Sequence, residues 1–167
     1  YDYVKSKYES NITWEQTRDS IYNRYQVLEK DGYNITSKNL YCNGCFASGI
    51  NYAASLVSLF YGEGNFIETI KIGTLCGWDS DNPTATWGGL LGFIYGKEKI
   101  EALFPTKLSN KFNIHRTRQN FENDGLDTFE NMSAKGISIV DKVIINHLGG
   151  KSENGTWIIP KSKIEIN

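Results

Sequence analysis

Apolar residues recur at helical spacing along most of this chain, parted by polar stretches rich in glycine and asparagine. From Asn11 to Glu29, Trp14, Ile21, Tyr25 and Leu28 mark one face, and Thr13 followed by Glu15 and Gln16 supplies a helix start. Residues 30–49 read as loop, with Leu40 to Cys42 apolar enough to touch a core. A second helix is expected from Ile50 to Tyr61, with Ile50, Ala53, Ala54, Val57 and Phe60 inward and Gly62-Glu63-Gly64 as its stop. A third covers Phe66 to Leu75, with Ile67, Ile70 and Leu75 inward. Pro83 to Tyr95 follow as a small-residue helix expected at the centre of the fold, because glycines at 88, 89, 92 and 96 let its backbone approach neighbours closely.

A short helix from Lys97 to Leu103 ends before Pro105, and the pattern fades from Thr106 to Asp127. It returns from Phe129 to Leu148 through Met132, Ile137, Val140, Val143, Ile144 and Leu148. In the tail, Trp157 with Ile159 and Ile164 with Ile166 alternate as extended strands do. There are no internal repeats or heptads. The pattern is that of an all-α helical bundle over residues 1–150, followed by a short extended C-terminal tail over 151–167.

Charge and length narrow the function classes. A chain of 167 residues, 40% hydrophobic, suffices for a globular core. Its net charge of −1 gives no electrostatic case for nucleic acid or an anionic membrane as partner. Every apolar run is broken by glycine or polar residues well short of the ~20 residues that a membrane span needs.

Asn11, Asn34, Asn131 and Asn154 each open an Asn-x-Ser/Thr sequon, a glycosylation acceptor in a secreted protein. All four lie in polar stretches, and secretion is the expectation they raise; an asparagine-rich chain also generates sequons by chance. Of three cysteines, Cys42 and Cys45 form a Cys-x-x-Cys in a polar turn without two further zinc ligands nearby, and their pairing is left open. Cys76, in an apolar run, reads as a small buried residue. His115 and His147 show no metal-like spacing and are expected at the surface.

The chemistry is concentrated in Gly77-Trp78-Asp79-Ser80-Asp81-Asn82-Pro83. Two carboxylates one residue apart, an amide oxygen and a proline introduce the glycine-rich helix, and hard divalent cations want such oxygen ligands. The same residues also suit a plain helix cap, since Asp, Ser and Asn favour the N-cap and Pro the first turn. The acidic pair stands between two apolar stretches, where close carboxylates repel unless a cation or proton intervenes.

The run Asn51 to Ile70 (NYAASLVSLFYGEGNFIETI), then Lys71 to Asn82 (KIGTLCGWDSDN) and the glycine-studded helix, resembles the ADP-ribosylglycohydrolase family. Several motifs occur in the family's order between Gly49 and Gly96, which is more specific than a lone Asp-x-Asp. The resemblance implies an orthogonal helical bundle around two magnesium ions, with manganese the alternative, and hydrolysis of ADP-ribosyl glycosidic bonds. Asp79, Asp81 and Asn82 would be ligands, with Asp81 the bridge between the ions. Asn82 stands where Thr is frequent, so Thr84 or water is an alternative third ligand. Gly77, Trp78, Ser80 and Asn51 would face substrate, Trp78 and Asn51 having ordinary core and helix-cap roles as alternatives. Asn65, in place of a frequent Asp, reads as a helix cap.

The family's other ligands come from an N-terminal acidic cluster, and this chain has no adjacent Asp-Asp pair. The resemblance therefore implies the C-terminal half of the fold, with the N-terminal half of the same precursor as a second chain bringing the remaining ligands and the proton donor or acceptor. Protein-linked or small-molecule ADP-ribose would be the substrate. A binding module without hydrolysis, supported by Asn82, and a structural protein are the alternatives; Asp79 with Asp81 argues against the latter.

Overall fold

The computed structural model describes residues 1–35, 44–114 and 119–161. Thr36, Leu40 to Cys42, His115, Ile164 and Ile166 lie outside them. The fold is mainly helical, as the sequence pattern requires, and forms two compact units, residues 1–106 and 107–167.

The first unit holds α1 (Asp2–Glu9), α2 (Trp14–Ile21), α3 (Ser48–Gly62), α4 (Phe66–Cys76), α5 (Asp81–Tyr95) and α6 (Lys97–Glu101). Thr13 starts α2 as its sequence promises. Its hydroxyl accepts from the Gln16 N–H at 3.3 Å while the Gln16 amide oxygen accepts from the Thr13 N–H at 3.4 Å. After Ile21 the helix widens into a π-helical turn, Tyr22–Val27. That turn rotates the inward face, burying Gln26, whose amide donates to the Gly44 carbonyl at 3.1 Å. Leu28, expected inward, is 52% exposed for the same reason.

The centre of this unit is α3, not the glycine-rich α5. Ile50, Ala54 and Val57 are fully buried and join Val4, Ile21, Ala47, Ile72 and Cys76 in one core. Ser58 and Gly62 of α3 face Thr69 and Gly73 of α4: a Cβ on Gly73 would meet Ser58 Cβ at 3.5 Å, and one on Gly62 would meet Thr69 Cα at 2.7 Å. Small residues therefore set the closest approach, and α4 buries Thr69, Ile72, Gly73 and Cys76. The expected inward pair Ile67 and Leu75 faces out, because it lies away from the Thr69, Ile72, Gly73 and Cys76 face of α4. The Asn65 side chain caps α4, accepting from the Glu68 N–H at 3.0 Å.

Only Pro83 and Leu91 of α5 are buried, and Phe93 is 88% exposed. Thr84, Trp87 and Gly88 mark its contact line, Thr84 against Gly73 of α4 and Trp87 donating to the Ser55 carbonyl at 2.9 Å. A Cβ on Gly89 would meet nothing within 4 Å. Gly89→Ala is thus expected to stabilise the protein by about 0.5–1 kcal/mol in urea unfolding, since alanine has less backbone freedom to lose. Destabilisation would mean that this face is packed in solution.

The second unit pairs β1 (Lys111–Asn113) with β2 (Leu126–Thr128) antiparallel, continues into α7 (Phe129–His147) and ends in a hairpin of β3 (Lys151–Glu153) and β4 (Thr156–Ile158). Asn154 and Gly155, at φ of 50° and 73°, close that hairpin as a two-residue turn that needs positive φ at both positions. Of the apolar line read along α7, Ile144 alone is buried; Met132, Ile137, Val140, Val143 and Leu148 are exposed. His147 is exposed at the helix end.

Candidate functional site

The acidic segment is the turn between α4 and α5. Helix α4 stops at Cys76 because Gly77 adopts φ 84°, ψ −154°, a conformation that favours glycine. Trp78 follows in the left-handed region at φ 57°, a cost of about 1–2 kcal/mol for a residue with a Cβ. Packing offsets it: the Trp78 ring lies against the core and stacks on Tyr22, centroids 6.2 Å apart and planes at 23°.

Asp79 comes next, half-buried, and its N–H donates to the side-chain oxygen of Asn51 at 3.0 Å. Asn51 stands in the first turn and a half of α3 and is 6% exposed. Its amide group donates to the carbonyls of Cys45 at 2.9 Å and Ala47 at 3.0 Å. It is therefore not a helix cap. It reaches the acidic turn through the Asp79 backbone.

Asp81 is the first residue of α5 and is exposed. The cap role that the sequence also allowed is not taken: no side chain accepts from the first N–H groups of α5. The Asn82 N–H goes instead to the Asp79 carbonyl at 3.0 Å, and the Thr84 hydroxyl lies 2.8 Å from the Ser80 carbonyl and 3.0 Å from that of Asp81. Thr84 is thus engaged with the backbone. The Asn82 amide approaches Asp79 Oδ2 at 3.4 Å, which leaves its own oxygen available. Pro83, buried, sits at the third helical position, where its missing N–H costs nothing.

Among the described residues, no Lys or Arg forms an ion pair with Asp79 or Asp81. The turn therefore presents two carboxylates and one amide oxygen, an all-oxygen donor set that fits a hard divalent cation. It is a partial set. Among the described residues no group of three His, Cys, Asp or Glu converges, whereas such cations take about six oxygens. Gly77, Trp78 and Ser80 line the same turn and Asn51 lies beneath it, so the segment's candidate residues stand together. Tyr22 was not among the candidates; its place beneath Trp78 follows from the π-helical turn, which no residue pattern announces.

Cys76, next to this turn, is a free thiol, 4% exposed. Burial pushes its pKa from 9.0 to about 12, against a smaller opposing pull from Arg18. The folded value lies above the unfolded one, so the unfolded chain loses this proton first. The stability that the buried thiol contributes is whole below pH 9 and is lost as pH rises through 12. Cys76→Ala is expected to flatten that alkaline decline, measured as urea midpoints from pH 8 to 11 beside the parent protein. Cys45 is disulfide-bonded, and Cys42 lies outside the described residues.

A family model described as ADP-ribosylglycohydrolase matches residues 3–134 of the chain. No curated protein and no solved structure matches it.

Proposed function

The chain belongs to the ADP-ribosylglycohydrolase family, and on that premise we propose that it works as a hydrolase cleaving the glycosidic bond between ADP-ribose and a protein side chain or small molecule. The observation that carries the reading is the turn at Asp79 to Asn82, whose carboxylates neither cap α5 nor pair with a cationic side chain among the described residues. The family is generally metal-dependent.

In this reading the carboxylates of Asp79 and Asp81 and the amide oxygen of Asn82 would hold divalent ions, magnesium or manganese. Such ions, when bound, would supply positive charge toward the ribose hydroxyls and a nucleophilic water. Asp79 and Asp81 keep the ligand role and do not donate the proton. Trp78 offers a half-buried ring as a pocket wall, and Gly77 and Ser80 offer backbone and hydroxyl groups to substrate oxygens. The other ligands and the acid–base carboxylate come from an acidic segment on the N-terminal half of the precursor, present as a second chain.

Secretion is part of the same proposal. Its support is the disulfide at Cys45, which suits an oxidising compartment, and the exposure of all four sequon asparagines, Asn11, Asn34, Asn131 and Asn154. Release of ADP-ribose from ADP-ribosylated protein, followed chromatographically with magnesium or with EDTA, tests the activity. Magnesium-dependent release is expected. Retention of ADP-ribose without release would favour a binding module instead.

A further inference from the structure

We propose that Asn51 is a positioning residue that sets cation affinity at Asp79 without touching the cation; the inference rests on the metal reading of the acidic turn. A carboxylate ligates well only when its backbone is fixed, and Asp79 lies outside any helix, after two positive-φ residues at 77 and 78. Asn82 bonds to the Asp79 carbonyl and carboxylate from within the turn, and one side chain ties the turn to the core. The Asn51 oxygen accepts the Asp79 N–H at 3.0 Å across 28 positions of sequence. Its NH2 group is fixed in turn by two carbonyls, Cys45 at 2.9 Å and Ala47 at 3.0 Å.

That geometry assigns each amide atom. Both donors and one acceptor position are used, and the residue is 6% exposed, so little of it remains for a substrate contact. Asparagine alone among side chains of this length offers one acceptor and two donors. Aspartate would set a carboxylate against two carbonyl oxygens, and leucine would take the acceptor from the Asp79 N–H and the Asn51 donor from the Cys45 carbonyl. Partners that orient a ligand from behind typically change metal affinity about 10–100-fold.

The test compares Mn2+ binding by calorimetry, and steady-state hydrolysis, for the parent protein assembled with the second chain that completes its site, and for the same assembly carrying Asn51→Ala or Asp81→Asn. Expected are binding by the parent, loss in D81N, and at least about 10-fold weaker binding in a folded N51A, with kcat lowered and substrate KM within about twofold. Parent-like Mn2+ affinity in folded N51A would overturn the inference while leaving the metal reading standing. No binding by the parent itself would overturn both. Should N51A fail to fold, the parent protein still decides by NMR titration with Mg2+. The Asn51 side-chain NH2 signals are expected to shift with the same midpoint as the Asp79 backbone amide; silence there, with Asp79 responding, contradicts the proposal.

Discussion

Asp81→Asn is expected to lower kcat/KM for ADP-ribose release at least about 100-fold while leaving the fold intact, because losing a ligand should cost no less than losing a residue that merely orients one. The side chain of Asp81 is exposed, caps nothing and forms no ion pair among the described residues. The neutral isostere therefore disturbs no packing. What it removes from stability is the favourable placement of a negative charge at the start of α5, about 0.3–1 kcal/mol at low salt. A large catalytic loss beside so small a stability change is the signature of a ligand. Equal, modest losses in both would point to a structural role. Urea unfolding and initial rates on the same preparation separate the two, and raising magnesium should restore some of the variant's rate if affinity is the defect.

The largest effect on folding is expected at Gly62. Alanine there is conformationally ordinary, since Gly62 is helical, so the cost is steric alone. Its Cβ would meet Thr69 Cα at 2.7 Å, a contact with backbone that no rotamer change relieves. Helices α3 and α4 would have to separate, loosening Thr69, Ile72 and Gly73 together. Gly62→Ala should cost about 3 kcal/mol, near the top of the range for overpacked cores. Gly89→Ala, by contrast, adds the same methyl group where nothing lies within 4 Å. Opposite signs for the two substitutions in one urea series would establish which glycines are there for close approach. Matching signs would mean that the α3–α4 gap accommodates a methyl group at position 62.

What could be read from the residues is what depends on near neighbours in sequence. The Thr13 and Gln16 box and the Asn65 cap are local hydrogen bonds across three positions. The inward line of α3 was legible because its buried residues are apolar and recur at helical spacing. On α4 the closest approach falls to Thr69 and Gly73, sized against Ser58 and Gly62, beside buried Ile72 and Cys76, while Ile67 and Leu75 lie on another face. The glycines of α5 misled as well. A glycine permits close approach but does not say that a neighbour comes, and only Gly88 of the three mid-helix glycines meets one, Ile70 Cδ1 at 3.4 Å.

The site divides in the same way. Asp79, Asp81 and Asn82 were legible because their spacing within one turn is itself the feature. That Asn51 reaches Asp79 depends on how α3 lies against the turn, 28 residues away, and no local pattern carries it. The stack of Tyr22 on Trp78 depends on a π-helical turn whose residues look like any helical continuation.

The most direct test of the cation role is anomalous diffraction from crystals of the protein grown with Mn2+. A manganese peak in contact with the carboxylates of Asp79 and Asp81 is the expected result, and it should disappear in D81N crystals. Full Mn2+ elsewhere on the protein, with neither carboxylate in its coordination shell, would contradict it.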